Sequence, residues 1–161
     1  MRRRGSDHQA NEATLKLSTR STYGVRAMLV LALRERSGPV MIRTIADDQA
    51  LPINYLEQLM SQLRKANLVT ALRGPHGGYV LARPSSAINL AEVVEALEGP
   101  LILTECPGPG CCGQPEACAV SEVWQEATEA LTGSLRRITL AALAERARDK
   151  ANSSAALTYN I

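Results

Sequence analysis

The chain has 161 residues, 45 % of them hydrophobic, with four Tyr, one Trp and no Phe, and a net charge of +2. That length fits one domain, or a small domain with an added arm. A core so poor in aromatics must be built from Leu, Ala, Val and Ile, which suits packed helices, and the charge is too small to decide a partner except through its distribution.

The longest unbroken apolar run, residues 27–33, is far short of the roughly 20 residues that a membrane-spanning helix needs. The basic opening MRRRG is followed by polar residues and not by the apolar region of a secretory leader. The expectation is a chain without a membrane partner that stays in the cytoplasm, where thiols are kept reduced. Residues 1–14 read as a disordered cationic arm.

Residues 21–36 predict a helix capped by Ser21 or Thr22 and ended by Gly38-Pro39. It is apolar nearly all round between Val25 and Leu33, so more than one side must be covered. Something beyond its own small domain is the expected cover. Residues 42–50 predict a short helix with Ile42, Ile45 and Ala46 on one face, broken by Leu51-Pro52. Residues 53–68 predict a second, with Leu56, Leu59, Met60 and Leu63 at helical spacing. Its opposite face carries Asn54, Tyr55, Gln58, Ser61, Arg64 and Lys65. Two short helices around a tight turn, the second with a hydrogen-bonding face, make a helix-turn-helix pattern.

Residues 69–84 place two β-prone runs around Gly74-Pro75-His76-Gly77-Gly78. This is a hairpin with a glycine-rich tip. Alone it reads as a plain surface turn. Directly after a helix-turn-helix it reads as a wing, with Arg73 and His76 at its tip and Arg83 at the far end. Residues 88–99 open on a capping box, Asn89 with Glu92, and bury Leu90, Val93, Val94 and Leu97. Residues 119–140 space Val120, Trp124, Ala127, Leu131, Leu135 and Ile138 as a coiled-coil-like stripe. That helix either folds back on its own domain or meets a second copy, and the over-apolar first helix favours the second copy. A homodimer would present two recognition helices to a palindromic double-stranded DNA site. Gly133 is a weak point of the helix unless it permits close helix approach. Thr139 is the expected cap of a last short helix, after which residues 149–161 read as a frayed tail.

All four cysteines, Cys106, Cys111, Cys112 and Cys118, lie within residues 106–118, among Gly and Pro. A structural disulfide is disfavoured by the reducing compartment, and a bond between the adjacent Cys111 and Cys112 would be strained. Zinc sites usually show two-residue ligand spacings, and no such pair is present. A redox enzyme would want that pair or a thiol beside a base. The two histidines, His8 and His76, lie elsewhere in the sequence, and no nucleophile–base pair is found, so no enzyme is expected. The remaining explanation is an iron–sulfur cluster. Cys106, Cys112 and Cys118 are evenly spaced, and soft thiolates suit iron–sulfur chemistry.

The stretches KLSTRSTYGVRAML, YLEQLMSQLRKANLV, RGPHGGYVLARP, EVVEALEGPL and CAVSEVW occur in order around that cysteine loop. Over residues 15–148 the chain thereby resembles the IscR-like winged-helix regulators of bacteria, dimeric transcription factors that sense iron–sulfur clusters. The resemblance implies that Cys106, Cys112 and Cys118 ligate the cluster, 2Fe–2S ahead of 4Fe–4S. It leaves the fourth ligand open. Members that control cluster biogenesis use a histidine where this chain has Ser121, and the nitric-oxide-sensing branch uses an aspartate where it has Thr22. Cys111 is either the substitute or a spare thiol; Glu105, Glu116, Glu122, the partner's arm or a small molecule are the other candidates.

The expected architecture is mainly α with a small β-hairpin: a winged helix-turn-helix domain over residues 15–100, a cluster-binding loop over 101–118, and a dimerisation helix with a short C-terminal helix over 119–148. The expected function is a homodimeric repressor whose operator affinity follows a labile cluster. An electron-transfer or cluster-carrier protein, or a thiol-based regulator without iron, are the alternatives. Asn54, Tyr55 and Gln58 would face base edges, since amide and hydroxyl groups read them by hydrogen bonds. Arg64 and Lys65 would contact phosphates, and Arg73 would enter the minor groove. Glu57 is either a surface charge or a discriminator that accepts from a cytosine amino group.

Overall fold

The computed structural model describes residues 18–103 and 119–158. Residues 1–17, the cysteine-bearing stretch 104–118 and residues 159–161 lie outside it, and with them the arm, all four cysteines and the end of the tail. The element order is α1 (Thr19–Leu33), α2 (Ile42–Gln49), α3 (Ile53–Lys65), β1 (Val69–Leu72), β2 (Gly78–Leu81), a 3-10 turn (Ser85–Ala87), α4 (Leu90–Glu98), α5 (Ala119–Arg136) and α6 (Leu140–Thr158). None of these helices is long and apolar enough to cross a membrane.

The core is aliphatic, as the composition requires. Met28, Leu31, Ile45, Leu56, Leu59, Met60, Leu63, Ile88, Val93 and Leu140 are fully buried. Helix α1 runs through its centre and touches α2, α3, α4, α6 and β2. Gly24 permits the approach of α4, because a Cβ there would stand 2.1 Å from Leu97 Cδ1. The apolar girdle of α1 is therefore covered within this chain except at its end, where Leu33 is exposed. Helix α6 supplies the unforeseen side, returning across α1 with Leu140 and Ala144 buried. The cover comes from beyond residues 15–100, as expected, but from α6 of the same chain, so the hydrophobicity of α1 does not by itself argue for a second copy.

The cap of α1 is Ser18, whose Oγ accepts from Arg20 N–H at 3.1 Å, and not Ser21 or Thr22. Ser21 is buried and donates to Glu98 instead, at 2.6 Å. Helix α4 begins as read: Asn89 caps it, accepting from Glu92 N–H at 3.1 Å. Thr139 Oγ1 accepts from Ala142 N–H at 3.2 Å and starts α6. That helix does not fray at residue 149 but continues to Thr158. An antiparallel bridge between Asn89 and Thr139 ties the α5–α6 junction to the start of α4.

The predicted stripe of α5 divides. Leu135 and Ile138 pack against the core, whereas Val120 and Trp124 are 61 % and 43 % exposed, with Val123, outside the predicted stripe, 60 % exposed beside them. The end of the helix folds back on its own domain, and its beginning carries apolar surface that nothing among the described residues covers. Gly133 has no neighbour within 4 Å of where a Cβ would stand, so within the chain it does not serve a close helix approach.

Candidate nucleic-acid interface

Helices α2 and α3 are joined by Ala50, Leu51 and Pro52. Ala50 takes the left-handed conformation (φ 51°, ψ 48°) that turns the chain between them. Leu56, Leu59, Met60 and Leu63 anchor α3 in the core. The 3.6-residue period then sends Asn54, Glu57, Gln58, Arg64 and Lys65 outward, and all five are exposed. Tyr55 is placed differently. It sits half-buried on the flank of α3, with its ring edge-on to Tyr23 of α1 at 5.9 Å and 81°. Ile53, 37 % exposed, opens the same helix and was not singled out by the sequence pattern.

The hairpin is antiparallel, Val69 opposite Leu81 through Leu72 opposite Gly78. Val40 adds a third short edge, exchanging backbone hydrogen bonds with Tyr79 at 2.9 and 2.8 Å. The tip needs its glycines. Gly74 has φ 114°, and a Cβ on Gly77 would stand 2.3 Å from the Leu72 carbonyl oxygen. Arg73 and His76 are exposed there. Arg83, at the far end, is committed inside the chain: it pairs with Glu92 and donates to the Ala87 carbonyl at 3.2 Å. By contrast, the ion pairs among the described residues involve none of Arg64, Lys65 and Arg73.

Both flanks of the cysteine segment are anchored. Glu98, the last residue of α4, accepts hydrogen bonds from the Ser18 and Ser21 hydroxyls. Arg20 donates to the Leu97 carbonyl at 3.2 Å. Burial is the largest single influence on the Glu98 carboxyl and pushes it upward, but the hydroxyls of Ser18 and Ser21, the Ser21 N–H and the charge of Arg20 together hold it below the usual carboxylate range. Beyond it, Leu103 N–H reaches Thr128 Oγ1 of α5 at 3.4 Å, and the described chain resumes at Ala119, the first residue of α5. Of the residues at the open fourth-ligand positions, Thr22 is exposed and donates to the Ser18 carbonyl at 3.4 Å, and Ser121 is half-buried in the first turn of α5. Among the described residues no group of three or more His, Cys, Asp and Glu could hold a metal ion.

A helix-turn-helix with an exposed polar recognition face and a glycine-tipped wing bearing an uncommitted arginine defines a winged-helix, DNA-binding transcriptional regulator. A family model described as Rrf2, iron-dependent transcriptional regulator, matches residues 17–146, and the chain belongs to that family. It is 40 % identical to the HTH-type transcriptional regulator IscR of Klebsiella pneumoniae over 129 residues, 80 % of this chain and 79 % of the relative. Among solved structures it is similar to T. potens IscR (TM-score 0.70, 37 % identity, 83 % of this chain and 88 % of the other). It is also similar to CymR, the global cysteine regulator of B. subtilis (TM-score 0.72, 37 % identity, 83 % and 98 %).

Proposed function

We propose that this chain is a homodimeric repressor whose grip on a palindromic operator is set by an iron–sulfur cluster held by Cys106, Cys112 and Cys118. The observation that carries the proposal is where the cysteine segment is tethered. It joins the end of α4, latched to α1 by Glu98, to the start of α5, where Val120, Val123 and Trp124 are exposed. A segment in that place links the reading domain to the surface on which a second copy would seat. The donor set fits the group: four soft thiols within thirteen residues suit iron–sulfur chemistry, and the family description names iron. A bound cluster supplies an inorganic core that orders its ligand segment and is lost or oxidised under stress. The fourth position is filled from outside the three evenly spaced cysteines, by Cys111 or by another donor.

In this reading Asn54 and Gln58 read base edges, and Tyr55 does so from its flank position with its ring braced by Tyr23. Glu57 rejects sites that lack a cytosine amino group within reach. Arg64 and Lys65 hold phosphates, and Arg73 with His76 carries the wing into the minor groove. The order of the cysteine segment fixes the separation of the two recognition helices, and such an order–disorder switch needs only a few kcal/mol.

The clustering of all four thiols, with Cys111 and Cys112 adjacent, favours one second reading, a thiol-based regulator without iron. Anaerobic purification separates the two: the cluster reading expects a brown protein with iron and acid-labile sulfide and with thiolate-to-iron absorption. Gel-shift titration of loaded protein, of cluster-free protein and of Cys106→Ala then tests the switch. Equal operator affinity for all three would overturn the cluster control, and an iron-free anaerobic preparation would leave the thiol reading.

A further inference from the structure

The wing carries an apolar feature that neither the core nor the polar reading residues account for. Along β1 burial alternates: Val69 is buried, Thr70 exposed, Ala71 half-buried and Leu72 exposed. Leu72 thus stands on the outer face of the hairpin, 46 % exposed, and immediately precedes Arg73. Its partner across the ladder is Gly78, which has no side chain to cover it. A Cβ on Gly78 would lie 2.5 Å from the Val40 carbonyl oxygen and 3.0 Å from Met41 N, so the Val40–Met41 backbone passes over that glycine. Met41 is 57 % exposed. Leu72 and Met41 therefore bracket Gly78 and leave an apolar ledge beside the arginine of the wing tip. Exposed apolar side chains are ordinary when single. Two of them around a glycine that cannot be replaced, next to an arginine free of ion pairs among the described residues, form a surface.

The occupant this surface fits is the minor groove of duplex DNA. Leu72 directly precedes Arg73, whose charge complements phosphate, and the walls of the minor groove are deoxyribose C–H groups. Apolar wedges inserted beside arginines in the minor groove partly unstack a base step. The cost of that deformation depends on the step and is least at flexible pyrimidine–purine steps. We infer that Leu72, with Met41 beside it, is an apolar wedge that seats the wing in the minor groove and makes the regulator select a deformable base step there. This rests on the operator-binding reading above.

The test uses the full-length protein and a duplex that the wild type selects from random DNA. Leu72→Ser is expected to bind that duplex about tenfold more weakly, the scale of an unstacking contact. Its salt dependence should equal the wild type's, whereas Arg73→Ala should flatten the salt slope by about one. Wild type should prefer a TA step to an AA step under the wing; Leu72→Ser should lose that preference and Leu72→Met should keep it. Both side chains are exposed, so thermal unfolding should move little, and Met41→Ala, which leaves the start of α2 without a side-chain cap as it is now, gives a second probe with a smaller loss of the same kind. Unchanged affinity and step preference in Leu72→Ser would overturn the wedge. So would wild-type DNA binding combined with lost repression in cells, which would give the ledge to a protein partner. A wild type that selects no duplex would overturn the operator reading, and this inference with it.

Discussion

Glu98 shows how one side chain joins two ends of the molecule. Its carboxylate accepts from Ser21, 77 residues earlier, and from Ser18, so α4 cannot leave α1 without stranding a buried hydroxyl. A carboxyl held below its usual value stabilises the fold above that usual value, about 4.3, and the contribution is lost as pH falls through the lower folded-state value. Ser21→Ala should therefore cost about 1 kcal/mol at neutral pH, less than a buried hydrogen bond to a charged group because Glu98 is itself exposed to solvent. The same variant should show a shallower loss of stability in acid than the wild type. Urea unfolding at pH 7 and near pH 4 measures both, and a cost that persists undiminished in acid would refute the assignment. This residue also marks a limit of the sequence. The Asn89–Glu92 cap is local and legible, whereas Ser18, Thr19, Ser21 and Thr22 are four equivalent hydroxyls within five residues. Only a carboxylate distant in sequence decides that Ser18 caps the helix while Ser21 is drawn inward.

Among the elements, α3 and the hairpin were legible because their patterns are periodic and their punctuation is strong: four apolar residues at helical spacing, then glycines where the backbone has no room for a Cβ. The length of α6 was not. Its second half is polar and looked like a tail, yet nothing after Gly133 in the sequence is Gly or Pro, so no residue stops the helix before Thr158. The turn between α2 and α3 offers a test of element geometry. Ala50 sits at φ 51°, where an L-residue pays about 1–2 kcal/mol, and glycine would return about 0.5–1 kcal/mol of that gain through the freedom of its unfolded chain. Ala50→Gly is thus expected to raise stability by about 0.5 kcal/mol, seen as a higher urea midpoint, with operator affinity unchanged because neither helix moves. A lower midpoint would show that the turn does not take this conformation.

At the scale of the whole molecule, the apolar girdle of α1 pointed to cover from beyond its small domain and favoured a second copy, and the fold supplies that cover from the same chain. An apolar girdle demands cover but does not say whose, and α6 of the same chain supplies it. The start of α5, away from the reading face, stays uncovered among the described residues: Val120, Val123 and Trp124 face outward just beyond the cysteine segment. If two copies meet there, the surface that joins them and the segment proposed to hold the cluster are neighbours in one chain, so a change in either reaches the other without passing through the core. Trp124→Arg places a charge in that seat while leaving the buried core intact. Light scattering should then report a monomer, and the unfolding midpoint at high dilution should stay close to the wild type's. Operator affinity should fall by about a hundredfold or more, because a single recognition helix loses the avidity of two linked ones. The two readouts must move together: a variant that stays dimeric and still holds its operator would show that the second copy seats elsewhere, and one that becomes monomeric yet keeps full affinity would remove the need for two half-sites.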